Sequence, residues 1–198
     1  MRAGLPACPC CQGDEDFVAS RRNLLRGTLG LAVGGLACTA AGGAVAEVLG
    51  SGPRRLVIQR VQTGESFAGA YWRDGRYDRE ALRQLDWVFR DPTREEATPM
   101  DPRLFDVLAT VARRMESTEG FEVVSGYRAP ETNAANARRS RRVSTASLHM
   151  SGMAADARLP GRNSFAMARL AAELQIGGVG LYQSSGFVHL DCGPVRRW

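Results

Sequence analysis

Lysine is absent from these 198 residues, and all 26 basic positions are arginine. The absence is read first as a coding bias and only second as a functional choice. It has one chemical consequence: the run Gly177-Gly178-Val179-Gly180 is not a phosphate-binding loop, which needs a lysine and a following helix. Those glycines fit a strand and a turn. Histidine is nearly as scarce, with two in the chain, His149 and His189. Cysteine is confined: four of the five, Cys8, Cys10, Cys11 and Cys38, precede residue 47. Beyond that point only Cys192 remains, so the later region cannot close an internal disulfide. The Cys8-Pro9-Cys10-Cys11 cluster lacks the second pair of a structural zinc site. No internal repeat stands out. The clustered arginines Arg138, Arg139, Arg141 and Arg142 carry no interleaved aromatics and no nucleic-acid motif, so a nucleic-acid partner is not expected.

What is present suits one domain preceded by an export segment. Hydrophobic residues make up 44% of the chain, enough to bury a core, and the net charge is +5 with a pI near 9.3. Basic charge favours an anionic partner without choosing one. Ser20-Arg21-Arg22-Asn23-Leu24-Leu25-Arg26 resembles a twin-arginine export motif, and no charged residue follows from Gly27 to Ala46. That stretch is long enough to raise the question of a membrane span, but it is mostly Gly, Ala and Thr. Ala44-Val45-Ala46 offers a cleavage site. The expected division is a twin-arginine signal segment at 1–46 and a folded domain at 47–198. Delivery to the periplasm by the twin-arginine machinery follows, with membrane contact only if the segment is retained.

The later region alternates strand and helix signals. Leu56–Val61 is a first strand, and Ala68–Arg73 a second, closed by Asp74-Gly75. Asp78 caps a helix to about Phe89. Asp101-Pro102 opens another, with Leu104, Val107, Leu108, Val111 and Met115 on one face and Glu119-Gly120 as its end. Phe121–Ser125 is a strand, Thr132–Arg139 a short helix and Met153–Arg158 a strand. Ser164–Leu174 is a helix with Phe165, Ala168, Leu170, Ala171 and Leu174 as its apolar stripe. Gly177–Tyr182 and Phe187–Asp191 form a hairpin. The expected fold class is α+β: a single domain with a mainly antiparallel sheet and helices packed on one face.

Each histidine has an aspartate near it. His149 lies in Ser147–Asp156, SLHMSGMAAD, and His189 in Phe187–Asp191, FVHLD. On a strand His189 and Asp191 point the same way. His149 and Asp156 converge only if the chain bends at Gly152. Two imidazoles, a carboxylate and an open position for water make the ligand set of a catalytic zinc, with bonds of roughly 2.0–2.2 Å. The expected ligands are His149, Asp156 and His189. The expected ion is Zn²⁺, which lowers the pKa of bound water to about 7. Asp191 is the candidate base, with orientation of a histidine as its alternative role. Either histidine alone reads as an ordinary core residue; the pair with Asp156 is what reverses that.

The ordered set Ser125-Gly126-Tyr127-Arg128, Ser147-x-His149-x-x-Gly152-x-Ala154-x-Asp156 and the late His189 resembles the zinc D-Ala-D-Ala carboxypeptidase family. The Gly-Gly-Val-Gly-x-Tyr run, Phe-Val-His-x-Asp and the tail Gly193–Trp198 are similar to its murein endopeptidase K branch. The resemblance covers Leu56 to Trp198. It implies a Hedgehog/D-Ala-D-Ala peptidase-like fold and a metallopeptidase acting on peptide stems of peptidoglycan. It carries His149, Asp156 and His189 over as zinc ligands and Arg128 as the group that polarises the scissile carbonyl, a role suited to a fixed, always-charged guanidinium. One position departs from the wider family: its glutamate base, three residues before the last histidine, is Gly186 here. A crosslink-cleaving endopeptidase leads. A carboxypeptidase trimming terminal D-alanine and a zinc-bearing wall-binding module remain open.

Overall fold

The computed structural model describes residues 49–141 and 143–198. The expected export segment at 1–46, its cysteine cluster and Arg142 lie outside the described residues. Among the described residues, no helix is long and apolar enough to cross a membrane.

One eight-stranded sheet organises this region. Its strands are β1 (Arg54–Arg60), β2 (Ser66–Arg73), β3 (Arg76–Tyr77), β4 (Phe121–Ser125), β5 (Ala154–Arg158), β6 (Gly178–Tyr182), β7 (Phe187–Asp191) and β8 (Arg196–Arg197). Their spatial order is β3-β2-β1-β4-β5-β7-β6-β8. Pairing is antiparallel except for β1 with β4 and β6 with β8. The expected α+β class with a mainly antiparallel sheet is therefore what the chain adopts.

Alternation along the strands separates two faces. One face carries Leu56, Ile58, Phe121, Val123, Ala155, Ala157, Val188 and Leu190, all buried in the core. The helices α1 (Arg79–Val88), α2 (Pro102–Arg114) and α4 (Ser164–Leu174) pack against the sheet, and α2 contributes Leu104, Phe105, Leu108 and Val111 to the same core. The other face carries Asp156, His189 and Asp191. Burying the apolar alternate residues of β5 and β7 thus forces the intervening polar ones to the opposite face.

The helix starts follow their caps. Asp78 accepts from the backbone N–H groups of Glu80 and Ala81, and Asp101 from that of Arg103, with Pro102 in the first turn. Strand bounds shift by one or two residues from the sequence reading, and three further differences have an identifiable cause. Helix α2 stops at Arg114, not at Glu119-Gly120, because Glu116 adopts φ 50°. The N–H groups of Glu116 and Ser117 then close on the carbonyls of Arg113 and Ala112 at 3.1 and 3.0 Å, a Schellman closure made without glycine. Helix α3 (Pro130–Arg139) starts two residues earlier than Thr132. There Asp91 Oδ2 accepts from the Ala129 N–H at 3.0 Å, holding the N-terminal end from 38 residues away. Phe165 is 59% exposed and takes no part in the core; Met167, Ala168 and Ala171 form the buried side of α4.

A polar cluster ties α2 to the β2–β3 edge. Asp106 accepts from Tyr71 Oη at 2.8 Å and Tyr77 Oη at 2.7 Å, and pairs with Arg54 Nη1 at 2.8 Å. Burial and the Asp106 charge push both phenols well above their ordinary pKa. Replacing Asp106 with alanine leaves an arginine and two hydroxyls without their partner. The expected loss is roughly 3–5 kcal/mol of stability, read as a lower urea midpoint, with metal content per folded chain unchanged.

Candidate metal centre

The site is assembled from three pieces of local structure. The first is the 3₁₀ turn Leu148–Ser151, whose Ser147 side chain accepts from the His149 N–H. Gly152 ends the turn at φ 67°, the left-handed region that favours glycine, and a Cβ there would come within 2.8 Å of the Pro99 carbonyl. The bend expected at Gly152 is thus present. It returns the chain into β5, and β5 pairs with β7 so that Asp156 lies directly opposite His189. The third piece is the Ser125–Arg128 segment at the end of β4, pinned by the Tyr127 N–H to Phe89 O (2.7 Å) and the Arg128 N–H to His149 O (3.2 Å).

These pieces bring His149, Asp156 and His189 together, and all three are buried. His149 Nε2 lies 3.2 Å from His189 Nδ1 and 3.3 Å from Asp156 Oδ1, and His189 Nδ1 lies 3.0 Å from the same oxygen. A tetrahedral ion with bonds of about 2.0 Å places its ligand atoms about 3.3 Å apart, so the triangle has the right size. The outer nitrogens fix the protonation pattern. His149 Nδ1–H donates to Gly126 O at 2.7 Å, while His189 Nε2 faces Asp191 Oδ2 at 3.0 Å. With the hydrogens directed outward, lone pairs of both rings converge on a carboxylate oxygen. That arrangement is electrostatically unfavourable unless a cation or a proton sits among them.

The metal-free electrostatics agree. Burial opposes a charge on Asp156, but His149 and His189 outweigh it and hold the carboxyl well below its ordinary range. Burial likewise opposes protonation of His189, while hydrogen bonds to Asp156 and Asp191 raise its pKa. A proton on His189 therefore does in the metal-free protein what a divalent ion does when bound.

Asp191 is fully buried, with both oxygens occupied. Oδ1 accepts from the N–H groups of Gly178 and Gly193, each at 2.9 Å, and Oδ2 from Arg196 Nη2 at 2.7 Å as well as meeting His189. Arg196 Nη1 adds a longer contact to Oδ1 at 3.3 Å. Ala154 is its cross-strand partner. Arg128 sits beside Asp156: its Nη2 is 3.5 Å from Asp156 Oδ2 and donates to Ser125 Oγ at 3.1 Å, and its Nη1 donates to Asn133 Oδ1 at 3.1 Å. Gly186 occupies the left-handed turn before β7 and supplies no carboxylate. Tyr127 is buried, its hydroxyl donating to Glu96.

Sequence reasoning missed the Gly126 carbonyl, Asn133 and Arg196. Backbone acceptors leave no mark on residue type. Arg196 becomes a partner of Asp191 only once β8 lies along β6.

The His149, Asp156 and His189 cluster on the sheet face is a candidate metal centre with the donor set that metallopeptidases use. A family model described as Peptidoglycan L,D-endopeptidase MepK matches residues 49–198, and the chain belongs to that family. It is 36% identical over 188 residues to the Peptidoglycan L,D-endopeptidase MepK of Escherichia coli (strain K12), covering 93% of this chain and 100% of that protein. It is 35% identical over 147 residues to the Probable peptidoglycan L,D-endopeptidase MepK of Haemophilus influenzae, covering 74% and 79% respectively. No solved structure gives a significant match.

The Asp191 environment makes a pH-dependent prediction. Burial opposes its charge, but His189 and the Gly178 and Gly193 N–H groups lower its pKa below the ordinary 3.8. Its contribution is therefore complete above that value and is lost as the pH falls through the lower folded value. His189 runs the other way: its share is complete below the ordinary 6.5 and is lost as the pH rises through its raised folded value. In metal-free protein, Asp191→Asn is expected to lower the urea midpoint most between these two ordinary values. The gap from wild type is expected to close as the medium is made more acid than that window; a gap independent of pH contradicts the assignment.

Proposed function

We propose that this chain is an exported zinc metallopeptidase that hydrolyses peptide crosslinks in peptidoglycan. The observation that carries the reading is the convergence of His149 Nε2, His189 Nδ1 and Asp156 Oδ1 within 3.0–3.3 Å of one another. Two imidazole nitrogens and one carboxylate oxygen are a ligand set that catalytic zinc takes in peptidases. Bound there, zinc supplies a Lewis acid that activates water for attack on a peptide carbonyl.

The chain's own residues do the rest. Gly126 O and Asp191 hold the two imidazoles with their unprotonated nitrogens inward. Asp191 orients His189, and Arg196 neutralises the Asp191 charge from the other side. Arg128 is the group that steadies negative charge on the scissile oxygen: its guanidinium is already aimed at the centre by Ser125 and Asn133, so little reorganisation accompanies the reaction. The relatives' printed names point to peptidoglycan as the substrate. The wall lies outside the cytoplasm, which agrees with the twin-arginine-like Ser20–Arg26 segment and with a periplasmic location. A carboxypeptidase needs a small closed pocket for a terminal residue. The relatives' printed names are those of endopeptidases, which favours cleavage within a crosslink.

The test is digestion of purified sacculi by the zinc-loaded protein. Crosslinked muropeptide dimers are expected to split into monomers, EDTA to abolish the reaction and added zinc to restore it. Loss of single alanines in place of dimer splitting moves the reading to a carboxypeptidase. Arg128→Ala is expected to lower kcat by about 10²–10³-fold while the protein still binds one zinc per chain. A zinc-loaded protein that binds sacculi and cleaves nothing is a binding module.

A further inference from the structure

A second feature lies on the same sheet face as the metal centre. Gly180 stands opposite His189 and Tyr182 opposite Phe187 in the β6–β7 hairpin. Strand alternation puts Tyr182 and Phe187 on the face of His189, about 7 Å further along. Their rings stack, with centroids 4.8 Å apart and planes at 23°. Trp198 lies over Gly180, where a Cβ would come within 2.6 Å of the indole, and its ring centroid is 5.1 Å from that of His189. Trp198 Nε1 is 3.5 Å from Tyr182 Oη. The Arg196 guanidinium, 5.3 Å from the indole centroid, supports the ring further. Yet Trp198 remains 53% exposed. Leu181, Tyr182, Gln183, Ser184 and Trp198 line a cavity of about 650 Å³, and Trp198 is the lining residue that reaches the His189 ring.

The lining of this cavity has aromatic rings, one amide and hydroxyls, and no charged side chain. Peptide stems carry free carboxylates and amines, which call for charged partners. A saccharide has the complementary pattern: apolar C–H faces that lie flat on aromatic rings, edged by hydroxyl and acetamido groups that pair with an amide and a hydroxyl. We propose that the Trp198–Tyr182–Gln183 shelf is a subsite for an N-acetylated sugar of the glycan strand, held while the attached peptide lies across the metal centre. The inference rests on the endopeptidase reading for its substrate. It adds that the glycan, and not the peptide alone, is recognised.

Two measurements on the zinc-loaded full chain test it. The first titrates the free wall disaccharide and follows the Trp198 indole N–H resonance by NMR, assigned through Trp198→Phe. The second compares kcat/KM for crosslinked dimers that retain their saccharides and for the same dimers stripped of them. The resonance is expected to shift, and the intact dimers to be preferred by about tenfold. Tyr182→Ala and Gln183→Ala are each expected to bring that ratio towards one. Because a folding defect lowers both rates together, the ratio isolates the subsite. An unmoved resonance or a wild-type ratio near one overturns the inference, and the endopeptidase reading stands if both dimers are still cut. A shifted resonance with neither dimer cut supports the sugar subsite and removes the endopeptidase reading.

Discussion

Two imidazole nitrogens and a carboxylate oxygen face one another across 3.0–3.3 Å, with the Nδ1 hydrogen of His149 directed away towards Gly126 O and the outer nitrogen of His189 held by Asp191. Much of the surrounding architecture serves to hold three electron-rich atoms where they would otherwise repel. A buried carboxylate with such neighbours is stable only when paired. The protein supplies Arg128 on the outer oxygen of Asp156 and Arg196 on Asp191. A ligand triangle fixed in advance loses little conformational freedom when it binds its ion.

The sheet register makes this placement possible. Asp156 pairs with His189 and Ala154 with Asp191, so the polar residues of β5 and β7 share one face while Ala155, Ala157, Val188 and Leu190 close the core on the other. A slip of one residue moves the whole set into the helical layer. The β6–β8 edge completes the arrangement, because Arg196 and Trp198 reach the site from the strand beyond Gly178 and Gly180. Core packing, centre and cavity are therefore consequences of one set of strand pairings.

The parts of this structure that depend on short-range chemistry could be read from the sequence. Asp78 and Asp101 announce the helices they cap, β-rich and apolar runs announce β1 and β7, and the bend at Gly152 requires the left-handed backbone that glycine tolerates best. The parts set by distant partners could not. Glu116 adopts a left-handed backbone without being glycine, so nothing local marked the end of α2. Phe165 fits a helical stripe yet lies on the solvent side, because Met167, Ala168 and Ala171 already fill the contact with the sheet. The proximity of His149, Asp156 and His189 was anticipated from their residue types and order. Nothing beside Asp191 in the sequence marked Gly178 and Arg196 as its partners, because the β6–β7 and β6–β8 pairings bring them there.

X-ray absorption on the zinc-loaded full chain tests the central claim most directly, since it reports both whether the ion is held and by what. The account predicts one zinc per chain, two imidazoles and oxygen ligands at about 2.0–2.2 Å, and no sulfur in the first coordination sphere. A folded chain that retains no zinc, or a sulfur shell at about 2.3 Å, contradicts it.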